Sequence, residues 1–518
     1  MQSMKTTAPT LLLMLAACLT LTGCTVGPDY QAPTTPELSR PLAQPGADAN
    51  TAPEVSPETV ASWWTVLDDP ALTDLVHKTL KQNRDFRAAV ASVRQARARL
   101  GIATAGLLPQ VGASGLYSRG RTSENIGMGP STTSGYYNGQ FDMTWEIDVF
   151  GGTRRSVQAA QADLQATSAS LENVWVSLAG EVAEAYILLR TTQQQLDVTK
   201  SNLSVQQETL DLLQSRRKAG LVDDLAVLQA TYNVERTKSL LPPLRANIEF
   251  TLSALAVLTG QVQGDLQKQL RQKETIPAPA RQIAVGIPAN ALRRRPDIRQ
   301  AERALAAQTA RIGQATADLY PKFYLLGSVG LESLDSSDFF KSGSRAWSFG
   351  PSISWPIFRG GSIRQNIKAQ TALQEQLLAR YEQTVLVAVK EVQDALVNYA
   401  EQQNRRDSLK NAVGAAREAI TVSQDQYKNG LVDFSNVLDS QRTLLELEEQ
   451  LTLTEGQIST SVVRLYKALG GGWAALEDMQ ENQPAEKQAV ENTDDKPAEE
   501  DTKNVADEKA DTAESNDE

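Results

Sequence analysis

The chain is 518 residues long, 41% apolar and 6% aromatic, with a formal net charge of −11. That length allows two or three ordinary domains or one elongated one, and the composition is that of a folded, helix-favouring protein, not a disordered one. The charge is misleading until located: residues 481–518 hold 14 acids against 4 lysines, so the tail carries 4 − 14 = −10 and the remainder −1, which excludes a basic field for nucleic acid.

The first segment is an export signal. Met1 to Lys5 is a short basic n-region, and Leu11 to Leu19 an apolar stretch too short to span a bilayer. Leu21-Thr22-Gly23-Cys24 follows and resembles the lipobox of bacterial lipoproteins. The resemblance implies a signal peptide over 1–23, an acylated Cys24 as first mature residue, and, with Thr25 in place of Asp, sorting to the outer membrane. Cys18 leaves with the signal, so no thiol remains for a disulfide. No later apolar run reaches about 18 residues, so any membrane span must be made of strands. Residues 24–70 read as a lipidated extended segment.

Beyond residue 70 the chain repeats itself at an offset near 210 residues. Arg99 to Pro109 returns as Arg311 to Pro321, Trp145 with Gly151-Gly152 as Trp355 with Gly360-Gly361, and Lys218 to Asp223 as Lys428 to Asp433. The two units are 71–260 and 291–472, joined by a linker, 261–290. Each opens with a helix, about 71–107 and 296–319, closed by Pro109 or Pro321. Two strand-like stretches follow, Val111–Tyr117 with Tyr137–Val149, and Phe323–Leu331 with Trp347–Ile357, the last interrupted by Pro351. The linkers between them are rich in Gly, Ser, Asp and Asn. Then comes a helix of about 65 residues, near 100 Å at about 1.5 Å per residue. Gly220 or Gly430 ends it and Asp223 or Asp433 can cap the next. In that last helix Val437, Leu444, Leu451, Ile458 and Leu465 fall at sevens, as do Val227, Val234, Leu241, Ile248 and Leu255 one repeat earlier. Pro242-Pro243 interrupts only the first copy. Residues 473–518, acidic and almost without large apolar side chains, are expected to stay disordered.

The fold class expected is mainly α with a small β part: a long α-helical coiled-coil barrel plus four transmembrane β-strands per chain, in two internal repeats. Four strands cannot close a wall in lipid, so chains must assemble, and three give twelve. The alternative is a pair of soluble hairpins packed on the helices.

These elements together resemble the outer-membrane efflux family, TolC-like, in its lipoprotein branch of the NodT or OprM type. Cys24-Thr25-Val26-Gly27-Pro28-Asp29-Tyr30, Trp63-Trp64 with Leu67-Asp68-Asp69-Pro70, Leu292-Arg293-Arg294-Arg295-Pro296-Asp297, and Tyr427-Lys428-Asn429-Gly430 with Val437-Leu438-Asp439 and Gln441-Arg442 carry the likeness. It implies a homotrimer held in outer-membrane lipid, acting as the passive exit duct of a tripartite efflux system for small molecules such as drugs, with a periplasmic adaptor and an inner-membrane RND-type transporter as partners. Protein secretion by a TolC-like channel, or a lipid-anchored structural coiled coil, are the competing functions. By the same resemblance Asp439 belongs to a carboxylate ring at the inner tip, with Tyr427 and Lys428 as closing contacts. Asn436 stands where some members carry a second acid, and a solvated helix position is the plain reading of Asp439. Asp433 reads as a cap.

Nothing convergent points to catalysis, a cofactor or a metal. His77 is the only histidine and no mature thiol is free. Arg293-Arg294-Arg295 precedes Pro296 at a helix start, so its role reads as structural, and Gly151-Gly152 fits a strand-to-helix junction.

Overall fold

The computed structural model describes residues 25–34, 42–43, 57–121, 123, 125, 131, 133–262, 264–272, 274–279, 286–287 and 292–472. The signal segment, Cys24 and the acidic tail lie outside the described residues. Among them no helix is long and apolar enough to cross a membrane.

Each unit opens with helices. The first has α1, Pro70–Gln82, and α2, Arg84–Ala105, where the sequence suggested one helix over 71–107. Asn83 makes the difference. Its backbone is extended, its Oδ1 accepts from Phe86 N–H at 2.9 Å, and its Nδ2 donates to the Leu258 carbonyl at 2.8 Å. A side chain that caps the next helix competes with continuation of the last. The second unit opens with one helix, Pro296–Ala317. The stretch before α1 is also less extended than expected: Pro57–Ala61 is helical and Trp63–Leu67 a 3-10 turn that buries Trp63, Trp64 and Leu67.

Four strands follow in two pairs: β1, Gln110–Arg121, and β2, Thr133–Ile147; β3, Lys322–Ser333, and β4, Arg345–Ser354. They form one antiparallel sheet in the order β1-β2-β3-β4. Both hairpins therefore join through β2 and β3, and both outer strands, β1 and β4, are left as edges. The strands outrun the sequence reading at their linker ends, because cross-strand pairing continues past the apolar residues to Arg121–Thr133 and Leu331–Arg345. Pro351 stays in register opposite Leu325.

After the sheet come the long helices. α3 runs Gly152–Lys218 and is followed by α4, Asp224–Ser239, and α5, Leu241–Leu258. The helix Pro296–Ala317 is α6; α7 is Ser362–Lys428 and α8 Phe434–Ala468. Both long helices have 67 residues, about 100 Å at about 1.5 Å per residue. The two prolines separate α4 from α5, whereas α8 runs unbroken for 35 residues. α3 packs on α6 and α8, and α7 on α8 and α6. None of the ten heptad positions is exposed, and Val234, Leu241, Leu255, Val437, Ile458 and Leu465 are buried. The period of seven thus marks the packed face of α4, α5 and α8.

An aromatic core ties the start of the first unit to the end of the second. Trp63 stacks on Tyr466, Trp64 and Phe86 meet Trp175 edge-on, and Trp175 Nε1 donates to the Gly472 carbonyl at 2.8 Å. His77 is exposed and edges onto Trp64. Two buried arginines act as pins. Arg295 donates to Asp297, to Glu391 at 2.8 Å and to the Ala468 carbonyl at 2.6 Å, joining α6, α7 and α8. Burial opposes its charge, and the two carboxylates outweigh that cost. Arg190 donates to the Leu270 and Gln272 carbonyls and to Glu274 at 2.7 Å. The Tyr186 phenol beside it lies 2.9 Å from Asp69, and burial raises its pKa.

Candidate functional site

The sheet has two unlike faces. Side chains of paired antiparallel residues point to the same side and alternate along each strand, so the register sorts them. Val111, Tyr117, Tyr137, Phe141, Met143 and Trp145 share one face with Phe323, Leu325, Val329, Leu331, Trp347, Phe349 and Ile353. Phe141 is 62%, Trp347 79% and Phe349 66% exposed. A soluble sheet would cover such a face. The other face is hydrogen-bonded and polar. Asn138 donates to Gln140 and Glu332, both at 3.3 Å; Gln140 and Ser114 donate to Asp142, both at 2.9 Å; Ser328 and Ser348 meet at 2.8 Å. Leu116, Leu326 and Ala346 are its aliphatic exceptions.

The apolar band ends in fixed tryptophans. Trp145 Nε1 donates to the Leu107 carbonyl at 3.0 Å and Trp355 Nε1 to the Leu319 carbonyl at 3.1 Å, so each indole closes the last turn of the preceding helix. The N-terminal segment is clasped at the same junction. Val26 N–H donates to the Phe150 carbonyl at 3.1 Å. The buried Arg155 donates to the Val26 and Gly27 carbonyls and pairs with Asp29 at 2.8 Å. Gly27 has φ +88°, and a Cβ there would lie 2.4 Å from Gly313 Cα; only glycine fits. Thr25 lies against Gly151.

At their far ends α3 and α7 turn sharply. Gly220 and Gly430 have φ +71° and +72°. Gly220 N–H donates to the Arg217 carbonyl and Leu221 N–H to Arg216, while Gly430 and Leu431 repeat the pattern on Tyr427 and Gln426. Both turns are therefore Schellman caps. Leu210, Leu213, Ala226, Ala230, Val234, Phe434, Val437 and Leu438 form one apolar cluster that brings the two turns together. Leu221 and Leu431 point away from it, 72% and 73% exposed.

The residues singled out for a gate collect here, unequally. Tyr427 is half-buried in the cluster, 5.3 Å from the Phe434 ring, and burial raises its pKa. Lys428 pairs with Asp425 of its own helix at 3.1 Å. Asn436 and Asp439 are exposed on the first turns of α8. Asp223 caps α4 through its carboxylate, which accepts from Ala226 N–H at 3.0 Å. Asp433 holds the equivalent position on α8 but its side chain makes no cap bond, so the cap read from sequence is made by one aspartate of the pair. Arg442 belongs to the family-like string, and nothing in the sequence alone gives it a role of its own. It stacks over the Tyr232 ring with its Cζ 5.1 Å from the centroid, donates to the Tyr232 hydroxyl, and reaches Asn233 Oδ1 at 3.0 Å. Positions 232 and 442 are equivalents, 210 residues apart; repeat arithmetic was the available signal. Higher up, Glu449 on α8 accepts from Thr199 at 3.3 Å and is half-buried, which raises its pKa. No group of three or more His, Cys, Asp or Glu among the described residues could hold a metal.

A sheet that is apolar on one face, polar on the other and open at both edges, continued by 67-residue helices, is the framework of a membrane channel subunit. Known proteins agree. The outer membrane efflux protein family matches residues 75–261 and 287–471. The chain is similar to Nodulation protein T of Rhizobium leguminosarum bv. viciae, 33% identical over 480 residues, 92% of this chain and 95% of that protein. Solvent efflux pump outer membrane protein SrpC of Pseudomonas putida is 31% identical over 472 residues, 90% and 99% of the two chains. Among solved structures, the outer-membrane channel OprN superposes with a TM-score of 0.80 at 36% identity, covering 87% of this chain and all of that one. The chain belongs to the outer membrane efflux protein family. It is an outer-membrane channel protein of efflux systems.

Proposed function

We propose that the chain works as a homotrimer, in which three four-stranded sheets close a twelve-stranded barrel and the long helices continue it as a periplasmic tube. The observation that carries this is the two-faced sheet with β1 and β4 unpaired. Open edges are not tolerated in lipid. β4 of one copy would meet β1 of the next antiparallel. Arg345 is level, through Leu331 and Gly139, with Gly115 of its own β1, yet β1 runs six residues further to Arg121. Offsetting each copy by those six residues levels the loop ends. The offset is even, so the faces stay aligned. Three such offsets, about eighteen residues around twelve strands, tilt the strands by about 45°, the upper end of what membrane barrels use.

The clasp of residues 25–34 supports an acyl anchor on Cys24 at the sheet–helix junction, where the membrane boundary would fall. At the tip, three exposed Asp439 carboxylates would ring the axis, with Tyr427, Lys428 and Asn436 beside them, narrowing the bore and favouring cations. The Arg442–Tyr232 contact holds α8 to α4 and is the contact that opening would break. Leu221 and Leu431 offer paired apolar knobs to a periplasmic adaptor, through which an inner-membrane RND-type transporter would load the duct with small molecules such as drugs. The chain itself does no chemistry on the cargo. Purified protein should run as heat-dissociable trimers and conduct in planar bilayers; a monomer that stays soluble without its acyl chains would overturn the proposal.

A further inference from the structure

We propose that each seam between neighbouring copies carries a binding site for a phosphorylated glycolipid headgroup of the outer leaflet; the inference rests on the trimeric barrel above. It starts from a charge asymmetry. The sheet's acids, Asp142, Glu146 and Glu332, all stand on the polar face, while its three arginines, Arg119, Arg121 and Arg345, all stand on the apolar face. All three arginines are exposed and lie at the linker ends of β1 and β4, the two edge strands. No acid of the sheet shares their side.

Within one copy Arg345 is three strands away from Arg119 and Arg121. The offset that closes the barrel changes this. It sets Arg345 directly opposite the partner's Arg121 and diagonal to the partner's Arg119. Three guanidinium groups, two from one copy and one from its neighbour, then gather at the edge of the lipid-facing band, where they can share one anion. The guanidinium fork suits phosphate, which can accept two parallel N–H bonds from each arginine. Arg121 Nη2 already donates to Ser131 Oγ at 2.8 Å, which fixes its position at the rim.

The neighbourhood selects a lipid over a free ion. The Tyr117 and Tyr137 rings meet at a tilt, centroids 4.7 Å apart, on the same face, and Phe339 lies 6.3 Å beyond Tyr137. Phe340 next to it is 86% exposed. Aromatic rings at this height sit where acyl chains meet headgroups, so a ligand anchored by its chains would present phosphate at the level of the arginines. The site is incomplete in a single copy.

The test uses the full-length trimer, delipidated and then offered bisphosphorylated lipid A, its dephosphorylated form, or inorganic phosphate. Lipid retained per trimer is read by native mass spectrometry, and trimer dissociation temperature on gels. The expected result is retention of up to three phosphorylated lipids per trimer with a higher dissociation temperature, and neither effect from the other two. In the Arg119→Gln/Arg345→Gln double variant retention should fall at least tenfold. Equal retention of both lipid forms by the unaltered protein would overturn the site without recourse to any variant. Inorganic phosphate alone raising the dissociation temperature as much would overturn the lipid assignment. Protein that never trimerises would remove the channel proposal and this site together, whereas a trimer indifferent to phosphorylation removes the site alone.

Discussion

Asp439 and Glu449 lie ten residues apart on one helix, and their surroundings separate their roles. Asp439 is exposed on the first turns of α8, where in the proposed trimer its three copies would face one another. Asp439→Ala should therefore widen the tip and raise single-channel conductance in planar bilayers, and unchanged conductance would count against a carboxylate ring. Glu449 is half-buried against α3, and desolvation raises its pKa above the ordinary 4.5. The native state then holds this proton more tightly than the unfolded chain does. Stability from this group is largest below pH 4.5 and is lost as pH rises through the raised value. Glu449→Gln should remove that decline and raise the thermal midpoint at pH 7 relative to the parent; a lower midpoint there would show that the charged form is the stabilising one. The family string contained Arg442, but its partner Tyr232 came from folding, because α4 and α8 meet only in three dimensions. Arg190 was equally unreadable: its acceptors are carbonyls of residues 270 and 272, about 80 positions away.

At the scale of elements, helix ends and heptads were legible because they are local. The glycines at 220 and 430 and the two prolines each act on their own backbone. Two departures have the same cause. Asn83 splits a helix by capping it, and its amide is held by the Leu258 carbonyl 175 residues away. Asp223 and Asp433 look alike in sequence, but only Asp223 makes the cap bond. Asp223→Ala should cost about 1 kcal/mol and Asp433→Ala much less, measured as a difference in thermal or denaturant midpoints. Equal losses would mean the two caps are equivalent in solution.

For the whole molecule, the proposed anchor and barrel have separable tests. Cys24→Ala should abolish lipid labelling, and unchanged labelling would refute acylation. Arg155→Ala should release residues 25–34 and increase their cleavage by protease while the trimer persists, because the bonds of Arg155 run to that segment and to Gln158 of its own helix. Its buried charge-assisted bonds are each worth about 1.5–3 kcal/mol.

The sequence by itself determined the element order, the near-identical lengths of the two long helices, the alternation of the strands and the family, since periodicity, turn residues and repeated strings are properties of neighbours along the chain. Tertiary structure decided which strand is an edge, that the three arginines share the apolar face, and that equivalent positions 232 and 442 touch. Pairing register and helix packing are set by the free energy of burying surfaces far apart in sequence, and no local pattern encodes which distant surface will be met.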